Sequence, residues 1–183
     1  GVTGSVVTVF NDANSNGVVD SGESLGTATV SSSAWTLDVN LAAGTHNIKA
    51  IQADVAGNNS SASSALTVVV DTSAPSEPTS LNLADGDDVG TSGTDNLTTV
   101  TSGLTIDGEG ETGTVITIFA DANSNGVVDT GESLGTATVT SGTWTVDITL
   151  TEGTHNVRAI QADAVGNASS ASTGLLITID TTA

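Results

Sequence analysis

Apolar and polar residues alternate along several short stretches of this chain. In Trp144–Leu150, Trp144, Val146, Ile148 and Leu150 fall on one face and Thr145, Asp147 and Thr149 on the other. That period of two is the signature of a strand with one buried face. The same run stands earlier as Trp35, Leu37, Val39 and Leu41. Read this way, the C-terminal part of the chain predicts seven strands: Ser80–Ala84, Leu104–Asp107, Thr114–Ala120, Leu134–Val139, Trp144–Leu150, His155–Ala162 and Leu175–Asp180. Short strands at regular intervals, separated by turn residues, predict two packed sheets in a domain of about 100 residues. Trp35 and Trp144 are the expected core anchors.

The pattern is duplicated. Residues 1–74 align on 110–183 without a gap, with 48 of 74 positions identical and a period of 109 residues. A repeat that long suits separate small domains in tandem rather than a solenoid. The expected domains are residues 1–74 and 75–183. The segment Asp71-Thr-Ser-Ala-Pro-Ser-Glu-Pro78 holds both prolines of the chain and reads as a stiff linker between them.

Charge narrows the partners. With 2 basic and 21 acidic residues the formal net charge is −19, and Lys49 and Arg158 are the two cations. A chain with no basic stripe has nothing to set against phosphates, so neither nucleic acid nor an anionic membrane is an expected partner. No run approaches the roughly 20 apolar residues that span a bilayer. Strong acidity with few aromatics is also the composition of disordered chains, but the clean alternation argues for folded strands. There is no cysteine, so a divalent cation is the remaining staple for a self-repelling chain.

The chemistry such a cation needs is present twice. Asp12-Ala-Asn14-Ser-Asn16-Gly17-Val18-Val-Asp20-Ser-Gly-Glu23 returns as Asp121-Ala-Asn123-Ser-Asn125-Gly126-Val127-Val-Asp129-Thr-Gly-Glu132. Side-chain oxygens stand at positions 1, 3, 5, 9 and 12, glycine at 6, and a main-chain carbonyl (Val18, Val127) at 7. This is the ligand order of an EF-hand calcium loop, in which a tight coil brings alternate oxygens around a hard cation. The flanks, Gly4–Phe10 and Leu25–Val30, are β-branched and alternating, so the loop is expected between strands and not between helices. The plain alternative is an Asn/Asp/Gly-rich hairpin that binds nothing. His46 and His155, in equivalent Gly-Thr-His turns leading into a strand, read as turn or strand-start residues rather than bases. With no cysteine and no serine in a nucleophile elbow, no enzyme is expected.

Asp163-Ala-Val-Gly-Asn167, a strand, and then Asp180-Thr-Thr-Ala resemble the signature of bacterial Ig-like domains, and Asp54-Val-Ala-Gly-Asn58 with Asp71-Thr-Ser-Ala-Pro75 repeats it. Such domains stand in tandem in large calcium-dependent, type I-secreted (RTX) surface adhesins. The resemblance implies an all-β chain of tandem immunoglobulin-like β-sandwich domains, about seven strands each, with the EF-hand-like calcium loop between strands. It implies extender repeats at the bacterial cell surface, with Ca2+ as the bound ion and the neighbouring repeats of the same chain as partners. Residues 1–74 lack the counterparts of 75–109, hence their first strands. Either the chain is a window cut from a longer array, or other copies donate strands and build a fibre. A ligand-binding adhesive domain is a further alternative.

In the Ig-like strand order, Asp71 of the first domain is expected beside Glu109, Glu111, Asp163 and Asn167 of the second, a candidate junction calcium site. The alternative is a set of solvated turn carboxylates. Junction ions would turn a flexible string into a rod. Alanine at Asp71 and Asp163 together should therefore broaden the small-angle scattering profile in calcium, and coincident profiles for variant and parent would exclude a shared ion.

Overall fold

The computed structural model describes residues 1–182. The described residues form strands and turns, with no helix, so no helix is long and apolar enough to cross a membrane. The chain divides into two compact units, Gly1–Thr72 and Ser73–Ala183.

The first unit has four strands: β1 (Val6–Asn11), β2 (Ser24–Thr29), β3 (Gly44–Ala53) and β4 (Leu66–Val70). They make one antiparallel sheet in the order β2-β1-β3-β4. Its buried apolar cluster is small: Val7, Val9 and Val30, with Leu25, Leu37, Ile48 and Ala50 packed against it. No residue of β3 or β4 is fully buried.

The second unit has eight: β5 (Thr79–Leu83), β6 (Leu97–Thr98), β7 (Ser102–Glu109), β8 (Val115–Ala120), β9 (Ser133–Thr138), β10 (Thr143–Thr149), β11 (Gly153–Ala162) and β12 (Leu175–Ile179). A five-stranded sheet, β6-β12-β11-β8-β9, and a three-stranded sheet, β10-β7-β5, enclose one core. Inward residues alternate along each strand, as in Leu104 and Ile106 of β7, Ile116 and Ile118 of β8, Val157 and Ala159 of β11, and Ile177 and Ile179 of β12. Each of these Leu, Ile and Val side chains contributes about 1.5–3 kcal/mol by leaving water. Trp144 closes the core from β10, with Nε1 donating to the Glu109 carbonyl at 3.2 Å. Its ring packs against Gly108, where a Cβ would stand 2.5 Å from Cζ2. Only glycine admits the indole there.

Three expectations need correction. The second unit has eight strands and not seven. The added β6 is two residues long and too short to carry an alternating pattern, and it forms only because it finds the edge of β12, in parallel register with Thr178 and Ile179. The strand expected over Trp35–Leu41 does not form, although its sequence nearly copies β10. In the second unit β10 is held by β7, with Trp144 opposite Gly108 and Ile148 opposite Leu104. The first unit contains no residues corresponding to β7, so that run has no ladder partner, and backbone groups without a partner turn to water. For the same reason Trp35 is not a core anchor: it is 39% exposed, whereas Trp144 is 3% exposed.

Two nearly identical tryptophans should therefore differ in energetic weight. Trp144→Ala removes a buried aromatic, a change worth about 3–5 kcal/mol, and should lower hydrogen-exchange protection in its own unit at least about a hundredfold. Trp35→Ala should cost its unit well under half as much. Equal losses would contradict the one-sheet description of the first unit.

Candidate metal-binding loops

The two acidic connections are built alike. Each follows a strand whose last residue but one is a buried phenylalanine, Phe10 or Phe119, at a register shift in the ladder to the next strand. Each is closed by a main-chain bond, Asn11 to the Glu23 carbonyl and Ala120 to the Glu132 carbonyl, both 2.9 Å. The first residue is pinned to the neighbouring strand, Asp12 N–H to the Asn47 carbonyl and Asp121 N–H to the Asn156 carbonyl. Inside, the chain turns through positive φ at Ser15 and Gly17, and again at Ser124 and Gly126. The glycine at position 6 is thus the left-handed residue that the spacing requires.

The side chains organise the coil. Asp12 accepts the N–H groups of Asn16 and Gly17, each at 3.0 Å, and Asp121 accepts those of Asn125 and Gly126, again at 3.0 Å. Asn14 and Asn16 both direct their amides at Asp20 Oδ2, at 2.7 and 2.8 Å. Asn123 and Asn125 meet Asp129 Oδ2 in the same way, at 2.8 and 2.9 Å. Glu23 receives Ala13 N–H on one oxygen and Asp20 N–H on the other, at 3.0 and 3.1 Å; Glu132 repeats this with Ala122 and Asp129, both at 3.1 Å. Positions 3, 5 and 9 are thus brought together, and position 12 faces both ends of the loop with a bidentate carboxylate. Val18 and Val127, at position 7, are 57% exposed.

This donor set fits a hard cation: three carboxylates, two amide oxygens and a main-chain carbonyl, with no nitrogen or sulfur donor. Each amide oxygen of Asn14 and Asn16 accepts one backbone N–H and keeps a second lone pair. As drawn by hydrogen bonding alone, however, the loops close upon themselves. Among the described residues no three His, Cys, Asp or Glu side chains gather into a ready metal cluster.

What faces position 1 is a basic side chain that the loop motif does not specify. Lys49 Nζ lies 2.7 Å from Asp12 Oδ2, and Arg158 Nη1 lies 3.2 Å from Asp121 Oδ2, both carboxylates having no exposed side-chain surface. These are the chain's two cations, at equivalent positions of the repeat. The Lys49 hydrogen bond is the main influence holding the Asp12 carboxyl below its ordinary pKa; burial pushes the other way, and the Gly17 amide, the Lys49 charge and the Asn16 amide assist. A signal was present: two cations in 183 residues, 109 apart and each in a strand beside the loop. The histidines stand third in their strands, His46 in β3 and His155 in β11. His46 Nε2 faces the Ala42 carbonyl at 2.9 Å and must carry the proton, so Nδ1 accepts from Asn11 Nδ2 at 3.1 Å; His155 Nε2 meets the Thr151 carbonyl at 2.8 Å.

The remaining candidates are engaged locally. Asp163 Oδ1 accepts the N–H groups of Val165, Gly166 and Asn167 at 2.8–2.9 Å, and Oδ2 accepts the Asn167 side-chain amide at 2.8 Å. Asp54 does the same toward Ala56 and Asn58. The Asp-x-x-Gly-Asn signature is therefore a self-capped turn, an aspartate sitting in a nest of amides. Glu111 accepts Ser76 N–H at 2.8 Å and Glu109 accepts the Ser80 hydroxyl at 3.1 Å. Asp71 follows β4 at the end of the first unit.

The turn aspartates carry a pH dependence. The Asn167 amide is the largest influence lowering the Asp163 pKa, as Asn58 is for Asp54 and the Thr182 hydroxyl for Asp180. A depressed folded-state pKa contributes stability that is present above the unfolded value, about 3.9, and is lost as pH falls through the folded value. The native chain should therefore be more stable than Asp163→Asn at neutral pH, with the gap narrowing below about pH 4. Denaturant melts of both proteins from pH 7 to 2.5 check this; a gap independent of pH would remove the carboxylate from the turn's energetics.

Comparison with known proteins agrees with the architecture. Two solved structures align over 97% of the chain at a TM-score of 0.50: the fibronectin(III)-like modules of Clostridium thermocellum CbhA, at 17% identity over 79% of that chain, and the FN1-FN3 domains of chicken CNTN1, at 12% identity over 54%. The chain thus spans about half the length of the chicken structure. At these identities the likeness concerns the fold alone. No curated protein matches the chain. The profile of the bacterial Ig-like domain matches residues 74–181, more than half of the sequence, and the chain belongs to that family.

Proposed function

We propose that this chain is a pair of extender repeats from a long bacterial surface adhesin, working outside the cell as a spacer that calcium stiffens. Ig-like and fibronectin III-like domains are typically non-catalytic, and the fold is that of an extracellular repeat or adhesive module. The observation that carries the calcium reading is the duplicated loop. Its position 3, 5 and 9 side chains meet, and its position 12 carboxylate is aimed inward by two amides, in a chain of net charge −19. Metal would enter as an added positive charge among oxygens held together by weaker amide contacts. Asp12, Asn14, Asn16, Val18, Asp20 and Glu23, and Asp121, Asn123, Asn125, Val127, Asp129 and Glu132, would hold it.

A second reading rests on the first unit. Its sheet lacks the facing strands, and Trp35 and Leu66, whose counterparts Trp144 and Leu175 pack in the second unit's core, are exposed by 39 and 64%. The second unit shows what covers the equivalent surface, namely β5, β7 and β10. Strands of that kind from another copy would build a fibre by complementation. The exposure of Trp35 also leaves an aromatic face accessible, as sugar stacking by a ligand-binding adhesive domain would use.

Calcium at about 100 times its dissociation constant stabilises by about 2.7 kcal/mol per site, or several degrees in a domain of this size. The melting temperature of the full chain should rise by that much between chelator and saturating calcium. Asp129→Asn with Glu132→Gln should abolish the rise in the second unit alone. Identical melts with and without calcium would defeat the spacer reading.

A further inference from the structure

One acidic side chain outside the repeated loops stands without compensation. The connection from β5 to β6 carries Asp85, Asp87, Asp88 and Asp95. Asp85 is exposed, Asp87 Oδ2 accepts Thr105 N–H at 2.8 Å, and Asp95 Oδ1 accepts Leu97 N–H at 3.2 Å. Asp88 differs. It is 6% exposed, its Oδ2 accepts Asn96 N–H at 3.2 Å, and its Oδ1 is buried with no hydrogen-bond donor among the described residues. Neither cation of the chain serves it, since Lys49 and Arg158 are paired with Asp12 and Asp121. A carboxylate removed from water with a lone pair that accepts no hydrogen bond, and with no counter-charge, is among the costliest groups a fold can hold.

The surrounding backbone supplies oxygens. The loop folds so tightly at Gly90 that a Cβ there would lie 3.2 Å from the Leu97 carbonyl oxygen and 3.7 Å from that of Ser92. A buried carboxylate oxygen in the same tight loop as these main-chain carbonyls is hard-cation chemistry, and an all-oxygen, carbonyl-rich donor set suits calcium better than the smaller, octahedral magnesium. We propose that the β5–β6 connection is a calcium site in which Asp88 Oδ1 is the charged ligand and carbonyls of the same loop complete the shell. The site does not depend on the twelve-residue loops. It has no counterpart in the first unit, which contains no residues equivalent to 75–109. Asn96, which Asp88 holds, immediately precedes β6, and the Asn96 and Thr98 carbonyls accept Thr178 and Asp180 N–H at 2.9 and 3.0 Å. An ion there therefore secures the last strand, β12, to the rest of its unit.

The experiment uses the full chain with both twelve-residue loops silenced by Asp20→Asn, Glu23→Gln, Asp129→Asn and Glu132→Gln. Equilibrium dialysis against calcium should still find about one ion per chain, and adding Asp88→Asn should remove it. Equal binding with and without Asp88→Asn overturns the proposal, as does no binding in the silenced chain. Neither result touches the loop reading, which is judged on the unsilenced protein. Stability gives an independent sign: in chelator Asp88→Asn should melt no lower than its parent because a buried charge is gone, whereas in calcium the parent should melt higher. Should the variant fail to fold, amide NMR of the silenced chain decides. Calcium should shift the resonances of Gly90, Ser92, Asn96 and Leu97 in a saturable way, and unmoved resonances overturn the site.

Discussion

Each unit places one carboxylate, Asp12 or Asp121, wholly inside the protein at the mouth of its long connection, and each sets one cation against it. The pairing is local in space and distant in sequence. Phe10 stands opposite Lys49 in the β1–β3 ladder and Phe119 opposite Arg158 in the β8–β11 ladder, so the cation rises from the strand beside the loop's first residue. An unpaired charge at this depth would be strongly destabilising, because desolvation exceeds what backbone amides alone return. The same carboxylate gathers the amides of positions 5 and 6 and so shapes the coil. Ion pair and loop are one device, and metal chemistry in the loop would act on a frame that this pair already fixes.

The rest of the acidic surface is kept in order by other means. Asp54, Asp163 and Asp180 accept hydrogen bonds from residues two to four positions ahead, which makes them turn-formers. This explains how a chain of net charge −19 remains folded while holding only two basic residues. It also gives the Asp-x-x-Gly-Asn signature a structural cause, since glycine provides the left-handed bend and asparagine returns its amide to the aspartate. Asp88 belongs to neither class, being buried but neither ion-paired nor fully capped.

The two units also show how far nearly identical sequence can diverge in structure. Trp144 and Trp35 sit in matching contexts, yet one closes a two-sheet core and the other lies half-open on a single sheet. The difference is the presence of β7 and β5, whose Gly108, Ile106, Leu104 and Leu83 form the opposing face. Burial of an amphipathic run depends on what lies across from it, and a strand depends on a ladder partner for its own backbone groups.

Much was legible from the residues alone. Strict alternation located β8, β10 and β11, because a period of two has few other physical meanings. The repeat at 109 residues disclosed two like units, and the order of Asp, Asn, Gly and Glu gave the loop between β1 and β2 and its twin, since those side chains bend the backbone locally. What stayed hidden depended on contacts between distant segments. The two-residue β6 exists only at the edge of β12, the run after Trp35 stays irregular for want of a neighbour, and Lys49 meets Asp12 across a ladder. The seclusion of Asp88 is decided by the packing around it. Local stereochemistry is written in the order of residues, whereas burial and pairing belong to the assembled sheets, where dielectric and partner are set together.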